Sequence, residues 1–210
     1  MDELIRGGAE PELRLIETLG WDGARPLREE RHLARMARGA GALGWRFDGG
    51  AARAVLREGR GSAARLRLTM GADGAFEVTE GPLPVPAALW RVRVHPVRLS
   101  SADPWLRHKT TNRALYDEAR AALPKGTDEW LFLNERGEVC EGTITTVFFD
   151  RGEGLRTPPL SCGCLPGVLR EEMLETGAAR EGLLRADDLG QVRLWVGNAL
   201  RGIVPGVLET

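Results

Sequence analysis

The chain has 210 residues, of which 29 are lysine or arginine and 30 are aspartate or glutamate, so its formal net charge is -1. This balance leaves no positive field for holding nucleic acid, and the longest apolar runs, such as residues 83–90, are too short to cross a bilayer. With 42% hydrophobic residues the composition is typical of a globular enzyme, which we expect to be cytoplasmic, with neither nucleic acid nor membrane as a partner.

The first half of the chain alternates between strand and helix patterns. Residues 13–19 alternate apolar and polar side chains as a half-buried strand does, and the turn residues at 20–26 favour a β-hairpin there. Residues 28–43 carry apolar side chains at helical spacing and predict an amphipathic helix. The other predicted elements of this half are a short helix at 51–59 and strands at 64–70, 75–79 and 89–97. Strands joined by tight turns indicate an antiparallel sheet with one helical face, an α+β unit.

The second half follows a short polar segment at residues 99–104, where we place the boundary between two domains, 1–99 and 105–210. A helix is predicted at 112–123, with Thr110 and Thr111 as N-caps. The remaining predicted elements are strands at 129–134, 139–149 and 192–196 and a helix at 165–174.

Lysine is rare in this chain, since Lys109 and Lys125 are the only two among 29 basic residues. A chain that uses arginine elsewhere keeps lysine where guanidinium cannot serve, above all for a neutral amine that forms a Schiff base or takes a proton. The alternative is that a small protein keeps one or two lysines by chance. Lys109 is predicted on a loop just before a helix, where its amine can face a pocket.

Three other features could serve the same chemistry. Glu141 is a charge among apolar and β-branched neighbours on a predicted strand, so it lies either at a wet edge or beside a cation. Two Gly-flanked turns, 165–170 and 197–202, offer backbone N–H groups to an anion, although most such turns bind nothing. Arg35, beside the apolar stripe of the first helix, is either solvated or a buried anion ligand.

The cysteines and histidines do not form a recognisable ligand set. Cys140, Cys162 and Cys164 make an odd number without paired spacing, which argues against a disulfide framework and gives no metal site. The three histidines are scattered along the chain. We therefore predict no metal.

Ordered sequence blocks along nearly the whole chain carry a resemblance to a known family. They are LIETL at 15–19, HLARM at 32–36, HKTTNR at 108–113 with YD at 116–117, NERGEVCEGT at 134–143, TPPL at 157–160, LPGVLR at 165–170 and GNALRG at 197–202. With these residues the chain resembles the class IV aminotransferases, the fold-type IV pyridoxal phosphate enzymes, and within them the aminodeoxychorismate lyase branch. The resemblance implies a D-amino acid aminotransferase-like fold of two α+β domains with the cofactor cleft between them, and a homodimer.

The resemblance also implies roles for individual residues. Lys109 would form the Schiff base with pyridoxal 5'-phosphate, Glu141 would pair with its pyridine nitrogen, and Arg35 would bind its phosphate. Further phosphate contacts would come from the two turns, through Val168, Leu169, Gly197 and Asn198. Candidates for contact with the substrate are Thr18, Arg107, Arg113, Tyr116 and Arg201, of which the three arginines suit carboxylates and Tyr116 could instead be a helix-packing residue.

The function implied is a lyase that converts 4-amino-4-deoxychorismate to 4-aminobenzoate and pyruvate, a step of folate biosynthesis. Two alternatives stay open: a class IV aminotransferase acting on branched-chain or D-amino acids, and a protein that binds pyridoxal phosphate without turnover. One departure from the family pattern is Thr146, where asparagine is usual, and it puts the hydrogen bonding of the Glu141 strand near the cofactor in question.

Overall fold

A computed structural model describes residues 12–59 and 61–209, which form two compact units. The first comprises the described residues up to Val85 together with His108–Asn112, and the second comprises Pro86–Arg107 and the described residues from Arg113 onward. The boundary predicted at 99–104 thus lies inside the second unit, and the segment of Lys109, predicted with the C-terminal domain, packs with the first. Within the described ranges, no helix is long and apolar enough to span a membrane.

The first unit contains a three-stranded antiparallel sheet and two helices. Its elements are β1 (Leu15–Trp21), α1 (Glu29–Leu43), α2 (Gly49–Arg57), β2 (Ala64–Met70) and β3 (Phe76–Gly81), with strand order β1-β2-β3. The hairpin predicted at 20–26 is wrong, because that turn closes with a single bridge between Trp21 and Pro26 and then enters α1. The partner of β1 is β2, which lies beyond both helices in the chain.

Helix α1 packs closely on β1 because a glycine lies at the contact. A side chain begun at Gly39 would place its Cβ 2.7 Å from the end of the Leu15 side chain, so any other residue here would require Leu15 to shift. The buried residues of α1 recur every three or four positions, as predicted for one helical face. They are His32, Leu33, Arg35, Met36, Gly39, Ala40 and Leu43.

The lysine segment lies beside the other edge of β1. The Ile16 N–H donates to the Lys109 carbonyl (2.8 Å) and the Thr111 N–H donates to the Arg14 carbonyl (2.9 Å), flanking an antiparallel bridge between Leu15 and Thr110. The prediction that Thr110 and Thr111 are the N-caps of the following helix is therefore wrong. That helix is α3 (Ala114–Ala121), and its N-cap residue is Arg113.

The second unit is built on an eight-stranded mixed sheet. Its order is β6-β5-β4-β11-β10-β7-β8-β9, and the α4 helix (Val168–Glu175) and three short 3-10 turns complete the unit with α3. The strands are β4 (Trp90–Leu99), β5 (Glu129–Asn134), β6 (Val139–Gly142), β7 (Thr146–Asp150), β8 (Arg156–Thr157), β9 (Arg180–Glu181), β10 (Arg193–Asn198) and β11 (Gly202–Leu208). Strand β4, predicted with the first sheet, belongs here, and β11 was not predicted because Pro205 and Gly206 interrupt its strand pattern.

The predicted strand 139–149 is broken into β6 and β7, and a buried carboxylate explains the break. Glu129 is 0% exposed and accepts hydrogen bonds from the backbone N–H groups of Thr143 (3.1 Å) and Ile144 (3.2 Å). The hydroxyls of Thr143 and Thr145 also donate to it. A buried carboxylate is stable only when its oxygens accept hydrogen bonds. The backbone N–H groups that bind Glu129 are therefore not available to a neighbouring strand, and the strand is interrupted here. The loop after Glu141 thereby acquires a defined shape.

Candidate functional site

In the first unit, Arg35 belongs to a buried cluster of three charged or ionisable side chains. Arg35 Nε and Nη2 donate to the two oxygens of Glu17 (2.8 and 2.6 Å), and His32 Nδ1 lies 2.6 Å from Glu17 Oε2. Glu17 and His32 are each 1% exposed and Arg35 is 7% exposed. The bidentate pair fixes the plane of the guanidinium as well as its position.

The charge state of Glu17 follows from these contacts. Burial by itself raises the pKa of the Glu17 carboxyl, but the charge and hydrogen bonds of Arg35, joined by His32, lower it to about 2. Glu17 is therefore an anion at neutral pH and Arg35 is held as its cation.

We expect Glu17→Gln to destabilise the protein by about 3–5 kcal/mol, because it leaves Arg35 buried without a countercharge. The folded pKa of Glu17, about 2, lies below the usual value of about 4.3. The ion pair therefore stabilises the fold fully above pH ~4.3, and this contribution is lost as the pH falls towards 2. The free energy of unfolding can be measured with urea at pH 7 and at pH 3. The difference in this free energy between the parent and Glu17→Gln should be smaller at pH 3.

The control for this prediction is Glu30→Gln, since Glu30 is exposed on α1, the helix of Arg35, and pairs with Arg53 of α2 (2.7 Å). Exposed ion pairs contribute little, so this variant should unfold like the parent. A Glu17→Gln protein as stable as Glu30→Gln at pH 7 would show that the cluster does not depend on the charge.

One strand positions both the Lys109 segment and Arg35. The backbone of β1 holds Lys109 through the Ile16 N–H, and the next residue, Glu17, holds the Arg35 guanidinium. Lys109 itself is half-buried. Thr18 follows on the opposite face of β1, where it is half-buried and opposite Arg67 in the register.

In the second unit, Glu141 is the centre of the candidate site. It is 9% exposed at the end of β6, its Oε1 accepts from the Tyr116 hydroxyl (2.7 Å) and its Oε2 from the Leu165 N–H (3.0 Å). Two uncharged donors, one on a helix and one on a loop, thus help to fix this buried carboxylate.

The loop that contacts Glu141 leads directly into helix α4. Val168 and Leu169 are the first two residues of this helix, whose first N–H groups have no acceptor within the helix. Both side chains are buried and apolar, so an anion at this turn would meet their backbone N–H groups only. Thr146 lies against this turn, since a Cβ at Gly167 would come within 2.8 Å of the Thr146 hydroxyl oxygen.

The second glycine turn is shaped by the side chain of Asn198. Its Oδ1 accepts from the N–H groups of Leu200 (3.1 Å) and Arg201 (3.0 Å), and its Nδ2 donates to the Ile144 carbonyl (3.1 Å). A Cβ on Gly197 would collide with the Gly202 carbonyl on the facing strand, so this position requires glycine. Both polar atoms of the Asn198 side chain are therefore hydrogen-bonded to backbone groups of the chain.

Two of the three candidate substrate arginines have contacts within the second unit. Arg113 donates to Asp117 (2.8 Å) and to the Thr143 carbonyl (2.8 Å). The Arg201 guanidinium lies over the Trp90 ring, 5.3 Å from its centroid.

Arg107 differs from these two arginines. It ends the 3-10 turn Pro104–Arg107, and its Nη1 is buried with no hydrogen-bond partner in the described part of the chain. Burial raises the pKa of the Cys164 thiol to about 12, the charge of Glu141 adds to this rise, and the charges of Arg170 and Arg107 oppose it. Arg107 and Glu141 therefore act electrostatically on the same thiol.

The cysteines are packing residues in this structure. Cys140, Cys162 and Cys164 are free and buried, and all three belong to one apolar cluster of the second unit. Burial raises the pKa of Cys162 to about 11, so its thiol stays protonated near neutral pH.

Glu17 and His32 were not predicted as site residues, although the sequence contains a signal for them. In the strand LRLIETL, Glu17 takes the place of an apolar residue in the inward series that includes Leu13, Leu15 and Leu19. His32 and Arg35 are one helical turn apart on the buried face of α1. A buried carboxylate facing an arginine and a histidine can be predicted from these two patterns once the strand and helix are known to pack.

Comparison with known proteins identifies the family. The sequence profile of the family described as "Amino-transferase class IV" matches residues 14–207. The chain belongs to the class IV aminotransferases. The family, the mixed α and β fold class, the enzyme class and the cofactor, pyridoxal phosphate, are thereby confirmed as predicted.

Three proteins that are similar to this chain are named for two kinds of reaction. A Schizosaccharomyces pombe protein provisionally named aminodeoxychorismate lyase is 33% identical over 212 residues, covering 94% of this chain and 90% of its own. A Mesorhizobium loti structure provisionally named an amino-acid aminotransferase is 44% identical with a TM-score of 0.89, covering 94% of this chain and 100% of its own. The 4-amino-4-deoxychorismate lyase of Pseudomonas aeruginosa is 26% identical with a TM-score of 0.77, covering 93% of this chain and 82% of its own.

Proposed function

We propose that this class IV enzyme is a 4-amino-4-deoxychorismate lyase, which releases 4-aminobenzoate and pyruvate. The observation that carries the proposal is the similarity to the Schizosaccharomyces pombe protein of that name, which extends over 94% of this chain and 90% of the relative. The Pseudomonas aeruginosa lyase supports it at 26% identity.

The side chains in each unit suit the parts of pyridoxal phosphate. Glu141 is a buried carboxylate fixed in part by two hydrogen bonds, and a carboxylate suits a protonated ring nitrogen. Arg35 is a buried cation of fixed orientation, and the α4 N-terminus offers backbone N–H groups at Val168 and Leu169. Both suit a phosphate.

In this proposal Lys109 both holds the cofactor and moves protons. Its Nζ would hold the cofactor, and its free amine would take the proton from the substrate carbon that carries the amino group. It would then deliver a proton to the methylene of the enolpyruvyl group while the bond between the ring carbon and the enol ether oxygen breaks, so that pyruvate leaves as the ring becomes aromatic. The bound cofactor supplies an electron sink, and Glu141 supports it by keeping a negative charge at the ring nitrogen.

Arg107 is our candidate for a substrate carboxylate. Aminodeoxychorismate carries two carboxylates, and planar guanidinium groups bind carboxylates with two parallel hydrogen bonds. Arg107 has a buried Nη1 without a partner among the described residues, whereas Arg113 already donates to Asp117 and Thr143.

The second candidate function is transamination, which a similar solved structure favours. The Mesorhizobium loti structure provisionally named an amino-acid aminotransferase is 44% identical to this chain. Both reactions use the same lysine and cofactor and differ in where the proton is returned. Branched-chain and D-amino acids are the substrates proposed for this alternative.

The test is to supply both kinds of substrate to the purified enzyme loaded with pyridoxal phosphate. Incubation with aminodeoxychorismate should give 4-aminobenzoate and pyruvate in equal amounts. Incubation with branched-chain or D-amino acids plus 2-oxoglutarate should give no glutamate. Glutamate without 4-aminobenzoate would replace the lyase by the aminotransferase, and neither product from a cofactor-loaded protein would favour binding without turnover.

We also propose that the protein is a cytoplasmic homodimer that acts on a small amino substrate. The family resemblance supports this assembly. Sedimentation of the purified protein should give twice the chain mass of 23.0 kDa, and a strictly monomeric mass would contradict it.

A further inference from the structure

The hydroxyl of Tyr116 has a partner that the sequence did not suggest. Tyr116 lies on helix α3, 25 positions before Glu141, and its Oη donates to Glu141 Oε1 at 2.7 Å. Tyr116 was predicted as a substrate residue or a helix-packing residue. In the structure its ring packs against an apolar cluster of the second unit, and its hydroxyl binds the carboxylate.

The surroundings hold the phenol ring in this position. The Tyr116 ring packs edge-on against Phe132, with 5.1 Å between centroids, and the Arg113 guanidinium lies 5.4 Å from the Tyr116 ring centroid. Arg113 also donates to the Thr143 carbonyl (2.8 Å), two residues after Glu141. The helix that carries the donor and the loop that follows the acceptor are therefore tied together.

The phenol is a permanent donor. Burial, and then the charge and hydrogen bond of Glu141, raise the pKa of Tyr116 far above its usual value. It stays protonated at any pH at which the enzyme works, so it donates to Glu141 and stabilises the anionic form of the carboxylate. A hydrogen bond to a charged group is about twice as strong as one between neutral groups.

We propose that Tyr116 is a positioning residue for Glu141: with the Leu165 N–H it fixes the plane and the charge of the carboxylate that faces the cofactor ring nitrogen. The inference rests on the proposed role of Glu141 in binding pyridoxal phosphate. It assigns Tyr116 to the cofactor side of the site rather than to the substrate.

The test uses the fact that Tyr116 is the only tyrosine in the chain. Protein labelled with carbon-13 at the tyrosine ζ carbon gives one phenol resonance in NMR spectra. In the cofactor-free protein this resonance should shift when Glu141 is replaced by Gln, because the acceptor loses its charge. An unchanged resonance would mean that the hydrogen bond to Glu141 does not form in solution.

The second part of the NMR test adds one of two ligands to the cofactor-free protein. Pyridoxal phosphate should move the Tyr116 resonance, because a ring nitrogen that binds Glu141 draws electron density from the carboxylate. An analogue in which carbon replaces the ring nitrogen should move it much less, although its ring and phosphate are the same. Equal shifts with both ligands would overturn the proposal.

A double-mutant cycle gives the energetic readout. Tyr116→Phe should keep the fold and weaken the binding of pyridoxal phosphate roughly tenfold, as expected for loss of a hydrogen bond to a charged group. In a Glu141→Gln background the same change should weaken binding less than about twofold. Equal losses in both backgrounds would make Tyr116 a packing residue only.

The matched control is Thr157→Val, which also removes one buried hydroxyl hydrogen bond in the second unit, from Thr157 to the Val147 carbonyl (2.8 Å). It should leave cofactor binding and the Tyr116 resonance unchanged. If the proposed function failed instead, the parent protein would bind no cofactor at all. The Tyr116 resonance would still differ between the parent and Glu141→Gln in the cofactor-free protein, so the two failures can be told apart.

Discussion

Replacement of Lys109 by alanine is expected to abolish both the visible absorption of the bound cofactor and product formation. Only an amine can form the Schiff base, and the same amine is the proposed proton carrier, a role that alone contributes roughly 10²–10⁴-fold to rate. Lys109→Arg should fail equally, because guanidinium forms no Schiff base. Absorption spectra and the 4-aminobenzoate assay measure the two losses.

The fold should survive these changes at Lys109. The segment is held to β1 by the Lys109 carbonyl, which accepts from the Ile16 N–H, and the substitution leaves that carbonyl in place. Lys125→Ala is the matched control, since it removes the only other lysine, and it should keep the spectrum and the activity. Loss of the visible band in Lys125→Ala, with its retention in Lys109→Ala, would assign the Schiff base to the other lysine.

Replacement of Glu141 by alanine is expected to lower cofactor affinity by about 10–100-fold and to reduce turnover by more than that. Loss of a hydrogen bond to a charged partner accounts for the affinity. Turnover should fall further, because a ring nitrogen that is no longer held protonated accepts electrons poorly. Titration of the cofactor-free protein with pyridoxal phosphate and single-turnover kinetics separate the two effects.

Glu141→Gln distinguishes the charge from the shape of this side chain. It keeps the shape and one acceptor oxygen, enough for the Tyr116 hydroxyl or the Leu165 N–H but not for both, so it should bind cofactor better than Glu141→Ala yet remain slow. Turnover at the parental rate would make Glu141 a structural strand residue. Glu138→Gln is the control, because Glu138 is a nearby buried carboxylate whose partners are Arg136 and Asn134.

Some elements were predictable from local patterns and others were not. Helix α1 and strand β2 were predicted almost to the residue, because their apolar residues recur at the helical and the strand period. The strand 139–149 was predicted as continuous because its alternation is unbroken. Its division into β6 and β7 depends on Glu129, a residue 14 to 16 positions before the break, whose burial the local pattern does not contain.

The candidate site, too, was predictable in some features and not in others. The sequence by itself determined the family and the cofactor, because these depend on residue identity and on short ordered motifs, and the same motifs predict roles for Lys109 and Glu141. Only the tertiary structure decided the partners: Glu17 for Arg35 across 18 positions, Tyr116 for Glu141 across 25, and Asn198 for Ile144 across 54. The physical reason is that buried polar atoms must be paired, and which donor reaches which acceptor is set by how strands and helices pack.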